Sequence, residues 1–168
     1  INNVHVDGVL AGESGIGGLV WKDDNSKITN SSFKGRIINS YETKAPYNIG
    51  GLVGQLTGIN AVVDKSKATI TISSNADSTN QTVGGLAGLV EKNALISNSY
   101  AEGNINNVKR FGSIAGVAGY LWDRDSNEER HAGRLHNVLS DVNVMNGNAI
   151  SGYHYRGMRI TDSYSNKD

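Results

Sequence analysis

The sequence predicts an all-β fold: a parallel β-helix (β-solenoid) of about five irregular coils with short strands and one charged insertion. Glycine (21 residues) and asparagine are frequent, and both are poor helix formers. β-branched runs such as 68–72 suit strands and are too short for core helices. A short glycine phrase recurs along the chain. Because one such unit cannot bury its apolar face alone, the copies are expected to stack on one another.

The glycine phrase is Gly-Gly-Leu, and its second glycines lie 33 and 34 residues apart. A fourth copy is expected at 111–116 and a decayed fifth at 150–153. Paired glycines fit a sharp corner or a close approach of adjacent coils. The three clear copies are Gly17, Gly18 and Leu19; Gly50, Gly51 and Leu52; and Gly84, Gly85 and Leu86.

This alignment predicts two interior ladders of apolar side chains that run along the solenoid. The first consists of Leu19, Leu52, Leu86, Ile114 and Tyr153. The second consists of Ile16, Ile49, Val83, Phe111 and Ile150.

A second phrase places an aliphatic residue two positions before Asn or Asp, and residues 1–4 carry a further instance of it. Asx side chains can hydrogen-bond the local backbone at a corner, whereas a polar binding stripe is the alternative interpretation. The predicted polar ladder consists of Asn30, Asp64, Asn98, Asn137 and Asp162.

Composition excludes several classes of protein. Sixteen basic and sixteen acidic residues give no net charge, which argues against binding to nucleic acid or to anionic membranes. The chain has no cysteine and so no disulfide or thiolate site. The longest nearly apolar stretch, 111–122, is too short to span a membrane. The sequence does not begin with Met, and its first residues do not resemble a signal peptide, so the chain is expected to be a piece of a larger protein. The sequence leaves its oligomeric state open.

The order Ile-x-Asn-Ser-Tyr-x-x-Gly-x-Ile at 96–105, together with the glycine phrase at 49–54, resembles the GLUG repeat of Gram-positive cell-surface proteins. Such repeats occur in the streptococcal zinc metalloproteases of the immunoglobulin A1 protease family. The resemblance covers 1–119 well and 133–165 by pattern. It implies one solenoid domain over 1–168, with an insertion at 122–134 and divergent final coils at 135–168.

The same resemblance implies a non-catalytic segment, extracellular at the bacterial cell surface or cell wall. Its expected partners are the other domains of the parent chain and host immunoglobulin A1. No histidine begins a His-Glu-x-x-His motif. No cofactor is therefore expected in this chain, and zinc is expected only in a separate catalytic domain.

The charged insertion is the first candidate binding segment, and four interpretations of it remain open. It partly matches an EF-hand calcium loop, but position six is Glu128 and position twelve is Arg134. It also fits a solvated insertion or a projection that binds a partner. A zinc site formed by His131, His136 and Glu128 or Glu129 is geometrically possible, but the spacing of these residues matches no known family of zinc sites. The candidate binding residues are Asp123, Arg124, Asp125, Glu128, Glu129 and Arg130.

A second candidate segment consists of Tyr153, Tyr155 and Arg156. Exposed aromatic residues beside arginine are favoured in recognition patches. Packing at the end of the array is the alternative, since terminal coils must shield an open stack.

The sequence suggests three hypotheses about function. The first is a spacer or scaffold of a surface metalloprotease that helps to recognise the immunoglobulin substrate. The second is an adhesin module that binds a host glycan or matrix protein. A polysaccharide-acting enzyme is disfavoured, because the repeats place no acidic and basic side chains in consistent register.

Overall fold

The computed structural model describes residues 1–40, 47–74, 81–106, 112–122, 132–154 and 159–166. All of its regular elements in these ranges are β-strands. In chain order they are β1 (His5–Gly12), β2 (Ile16–Gly17), β3 (Val20–Asp24), β4 (Lys27–Thr29), β5 (Ser32–Asn39), β6 (Tyr47–Gly50), β7 (Val53–Thr57), β8 (Val62–Asp64), β9 (Lys67–Ser74), β10 (Gln81–Gly84), β11 (Ala87–Glu91), β12 (Leu95–Ser97), β13 (Tyr100–Asn106), β14 (Ser113–Ala115), β15 (Ala118–Trp122), β16 (Arg134–His136), β17 (Leu139–Val144), β18 (Ser151–His154), β19 (Arg159–Thr161) and β20 (Tyr164–Ser165).

The strands form four parallel sheets, and the chain visits the sheets in turn. Sheet one has the order β1-β5-β9-β13-β17-β20 and sheet two the order β14-β10-β6-β2. Sheet three has the order β18-β15-β11-β7-β3 and sheet four the order β19-β16-β12-β8-β4. Each strand therefore pairs with its equivalent in the next coil, which confirms the predicted all-β solenoid.

Apolar side chains fill the interior between the four sheets. In β9 of sheet one, buried residues alternate with residues that are at least partly exposed. The inward residues of this sheet, among them Ile37, Ile72 and Ile105, have no accessible surface. Short β-branched runs thus bury alternate residues against the neighbouring coils, which is how a repeat too small for its own core is stabilised.

The glycine phrase forms a corner between sheets two and three where backbones approach closely. A Cβ on Gly50 would lie 1.9 Å from the carbonyl oxygen of Val53 in its own coil. A Cβ on Gly51 would lie 2.0 Å from the carbonyl oxygen of Gly85 in the next coil. The first glycine therefore permits the tight corner, and the second permits the contact between coils.

The predicted alignment is wrong by three residues in the last two coils. It placed Ile114 and Tyr153 in the ladder of Leu86. Instead, Ile114 pairs with Val83, and Tyr153 pairs with Tyr120. Tyr153 lies on the outer surface with 53% of its area exposed, so it is not an interior residue.

Backbone hydrogen bonds show which residues continue the glycine phrase. The N–H of Gly85 donates to Ala115, and the N–H of Gly116 donates to Asn148. Val117 in turn donates to Ile150, so Ile150 continues the leucine ladder and not the ladder of Ile16. Phe111, the other member predicted for that ladder, lies outside the described residues.

The error has a physical reason. Glycines also occur at positions 112 and 152, where they imitate the phrase, whereas the true fourth and fifth corners contain Ala115-Gly116 and Asn148-Ala149. With these corners, the last two spacings of the corner become 31 and 33 residues. The repeat is more regular in the structure than in the predicted alignment.

The polar corner follows β4, β8, β12, β16 and β19, and one of its predicted members is also wrong. The residue at the corner has a positive φ of 47° to 56° in every coil, from Asn3 to Asp162. In the third coil this residue is Lys65 (φ 48°), whereas Asp64 lies one position earlier. Among residues other than glycine, Asn and Asp tolerate this left-handed conformation best, and Lys65 adopts it at some energetic cost. The full row consists of Asn3, Asn30, Lys65, Asn98, Asn137 and Asp162.

Side chains at the corner, or one position before it, bond one another between coils. Asn98 Nδ2 donates to Asp64 Oδ1 at 2.7 Å, and Asn137 Nδ2 donates to Asn98 Oδ1 at 2.8 Å. Asn30 Nδ2 donates in the same way to Asn2 Oδ1 at 3.1 Å. These side-chain bonds add to the stacking of the coils. The Asp64 carboxylate also accepts the backbone N–H of Lys65, which is the kind of local bond that the sequence predicted.

A serine ladder, which the sequence analysis missed, lies directly after this corner. Each serine Oγ donates to the carbonyl oxygen two residues earlier in its own coil, at 2.6 to 2.8 Å. Each Oγ also accepts the N–H of the equivalent residue in the preceding coil, at 3.1 to 3.3 Å. Val138 takes the serine position in the fourth of these coils. The members are Ser31, Ser66, Ser99 and Ser163.

We expect Gly85→Ala to destabilise the chain by at least about 3 kcal/mol, because the new Cβ would lie 2.0 Å from the Gly116 carbonyl oxygen. Gly8→Ala is the matched control, since nothing lies within 4 Å of a Cβ there. Denaturant unfolding of the two variants measures the difference. Equal stability of the two would contradict the close approach at the corner.

We expect Ser66→Ala to cost about 1 to 3 kcal/mol, because the buried Ser31 N–H loses its acceptor. Ser73→Ala, on the outer side of β9, should change the free energy of unfolding by less than about 0.5 kcal/mol. Chemical denaturation compares the two variants. A loss no larger in Ser66→Ala than in Ser73→Ala would remove the serine ladder from the account.

Candidate functional site

Of the predicted partner-binding residues, Tyr153 is the one that lies within the described ranges of the structure. The other predicted members lie outside the described residues: Asp123, Arg124, Asp125, Glu128, Glu129, Arg130, Tyr155 and Arg156.

Tyr153 belongs to an aromatic cluster on the outer surface of sheet three. Its ring meets the Tyr120 ring edge to face, with centroids 5.0 Å apart and an interplanar angle of 84°. The Tyr120 ring stacks on Trp122 at 5.9 Å and 10°. We call these three residues the aromatic cluster. Both geometries are those that aromatic pairs prefer.

Strand geometry and coil register together build the cluster. Tyr120 and Trp122 are two residues apart on β15, so they point to the same side of the sheet. Tyr153 lies beside Tyr120 on the adjacent strand β18. The sequence signal was the alternation in Tyr120-Leu121-Trp122, in which Leu121 is fully buried. It became interpretable only with the corrected register.

The cluster brings together the chain positions next to both predicted binding segments. Trp122 is the residue immediately before 123–131, and Tyr153 lies two residues before Tyr155. Two segments that are far apart in sequence thus adjoin neighbouring strands of one sheet. Recognition residues often lie in loops that a rigid scaffold positions in this way.

A charged network lies on the outer surface of sheet one. Lys67 Nζ is 2.9 Å from Glu102 Oε1 and 5.2 Å from the centre of the Tyr100 ring. Thr69 Oγ1 donates to Glu102 Oε1 at 2.7 Å. Glu102 and Asp141 are neighbours in register on β13 and β17. The network connects three coils across the outer surface of sheet one.

The network shifts two pKa values in opposite directions. Burial raises the pKa of Tyr100 to about 12, and the nearby carboxylates of Glu102 and Asp141 add to the effect. Hydrogen bonds from Lys67 and Thr69 lower the pKa of Glu102 below its ordinary 4.5. The Tyr100 contribution to stability is therefore lost as pH rises from about 10 to about 12. The Glu102 contribution is lost as pH falls below 4.5.

We expect Glu102→Gln to lower the pKa of Tyr100 from about 12 towards 10, because one of the two carboxylate charges is removed. Ultraviolet difference titration measures the shift, and Tyr100→Phe identifies the phase that belongs to Tyr100. Asp7→Asn, at the exposed far edge of the same sheet, is the control. An unchanged high-pH phase in Glu102→Gln would contradict the role of Glu102.

The described residues do not fit a zinc centre. In these ranges no three His, Cys, Asp or Glu side chains are grouped to hold a metal ion. His5 Nδ1 is engaged with Ser32 Oγ, and His136 Nδ1 with Thr161 Oγ1, each at 2.8 Å. The alternative zinc set that included His131 and Glu128 or Glu129 lies partly outside the described residues. Among the described elements, no helix is long and apolar enough to cross a membrane.

Known proteins resemble this chain in sequence along its whole length. The model of the GLUG motif matches residues 45–73 and 79–106. An immunoglobulin A1 protease of Streptococcus sanguinis is 95% identical over 100% of the chain, and one of Streptococcus pneumoniae strain R6 is 70% identical over 99%. The zinc metalloprotease ZmpC of Streptococcus pneumoniae is 37% identical over 100% of the chain. The chain spans only 8% to 9% of the length of these relatives.

A solved structure titled IgA1 protease matches with a TM-score of 0.87 and 68% identity, over 96% of this chain and 13% of that one. The resemblance that the glycine and asparagine phrases predicted is thereby confirmed. The chain carries GLUG repeats and is similar from end to end to one β-solenoid segment of the streptococcal immunoglobulin A1 proteases.

Proposed function

We propose that the chain is a non-catalytic β-solenoid of a cell-surface zinc metalloendopeptidase, where it serves as spacer and scaffold and contributes to recognition of the immunoglobulin substrate. The identity of 95% over the whole chain carries this proposal, because the matched relative is an immunoglobulin A1 protease roughly ten times longer than the chain. A catalytic domain has ample room elsewhere in such a protein.

Two features of the structure support the scaffold role. First, successive coils stack with their equivalent strands paired in four parallel sheets. Such a stack forms a rod, which holds its two ends at a fixed separation. Furthermore, the described residues contain neither a metal-binding group nor a His-Glu-x-x-His helix on which zinc hydrolysis would depend.

The aromatic cluster supports the recognition role. Tyr and Trp are enriched at the energetic centres of protein interfaces, and here they lie next to both segments predicted to bind a partner. The relatives' name identifies immunoglobulin A1 as the protein on which they act. Immunoglobulin A1 is therefore the partner that we assign to this surface.

We expect the purified chain to bind immobilised human immunoglobulin A1 saturably, and more tightly than immunoglobulin A2. Reversing the charges of Asp123, Asp125, Glu128 and Glu129 should weaken this binding, because these side chains make up most of the charge of the insertion. Surface plasmon resonance measures both effects. Absence of saturable binding would contradict the recognition role.

We also expect the chain alone to leave immunoglobulin A1 intact, with or without added zinc. Electrophoresis of the incubated immunoglobulin measures cleavage. Cleavage by the purified chain would contradict the non-catalytic role, and a helical far-ultraviolet circular dichroism spectrum would contradict the fold.

A further inference from the structure

Tyr153 differs from the other large apolar side chains that the structure exposes. More than half of its surface is exposed, although its ring lies on the outer surface of sheet three beside two other aromatic rings. Tyr164 is more exposed still, at 66%, but among the described residues no aromatic ring packs against it. Tyr153 is therefore exposed, and its ring also packs against a neighbouring aromatic ring.

The cluster holds the Tyr153 ring in place before any partner binds. Tyr120 and Trp122 are only partly exposed and stack on each other, so they form a fixed base. In the edge-to-face pair, Tyr120 covers at most one face of the Tyr153 ring. The remaining surface can enter a pocket on a partner, and little side-chain entropy is lost because the ring is already oriented.

We propose that Tyr153 is the anchor residue by which this chain binds immunoglobulin A1, entering an apolar pocket on the immunoglobulin with Tyr120 and Trp122 as its rigid support. This inference rests on the proposed recognition function and names the residue that carries it. A tyrosine supported by partly buried neighbours has the arrangement of an interface hot spot, in which one ring is fully desolvated on binding and its surroundings exclude water.

Packing at the end of the array is the competing explanation for Tyr153, and the structure disfavours it. A side chain that shields the open stack would lie over the interior columns, as Ile150 and Ile160 do beside the core. Tyr153 instead follows Tyr120 in the outward row of sheet three. Its removal should therefore cost binding rather than stability.

The test is to measure binding of immunoglobulin A1 to the 168-residue chain and to three variants. Tyr153→Ala should weaken binding at least about 30-fold, because the anchor ring is lost. Tyr153→Phe should retain affinity within about threefold, since the ring remains. Tyr164→Ala, the matched exposed tyrosine on sheet one, should change affinity less than about twofold.

Thermal unfolding checks that the variants are folded, and we expect the melting temperatures of Tyr153→Ala and Tyr164→Ala to be alike. Unchanged affinity of folded Tyr153→Ala, beside a wild-type chain that binds, would overturn this inference and leave the proposed function standing. An equal loss in Tyr164→Ala would also overturn it. A wild-type chain that does not bind immunoglobulin A1 would overturn both.

Discussion

The contact between backbones at the glycine corner is the constraint on which the rest of the structure depends. With a hydrogen in place of Cβ, the backbone at Gly51 can approach the Gly85 carbonyl oxygen, and Gly85 can approach Gly116 in the same way. This contact sets how far one coil is shifted against the next. Because successive coils run through the same sheets in the same order, this shift determines strand pairing in all four sheets. The serine ladder and the polar corner then add hydrogen bonds at the register so defined.

This register determines which side chains lie next to one another on the outer surface. Tyr120 and Tyr153 are 33 residues apart in sequence, and they meet because their strands pair one coil apart. Lys67 and Glu102 meet on sheet one for the same reason. In the part of the chain that the structure describes, equivalent positions of successive coils thus form rows of side chains along the outer surfaces of the sheets.

The fold class and the repeat could be predicted because glycine pairs and Asx residues recur at the corners of most coils, where the backbone conformation favours them. The prediction failed where other residues take these positions: Ala115 and Asn148 occupy the first position of the fourth and fifth corners, and Lys65 occupies the polar corner position predicted for Asp64. The aromatic cluster could not be predicted, since a three-residue error places Tyr153 beside Ile114 on another sheet. The serine ladder was missed because its hydroxyls bond between coils, which no single repeat reveals.

The register of the final coils is the central claim, because the aromatic cluster exists only if Tyr153 lies beside Tyr120. A disulfide between Tyr120→Cys and Tyr153→Cys tests it directly, as the chain contains no other cysteine. Paired parallel strands lie about 4.8 Å apart, within the range of Cα separations that a disulfide spans. We expect mild oxidation to form this intramolecular bond in the folded chain, as measured by mass spectrometry. Two free thiols in the folded, oxidised variant would contradict the register and the surface built on it.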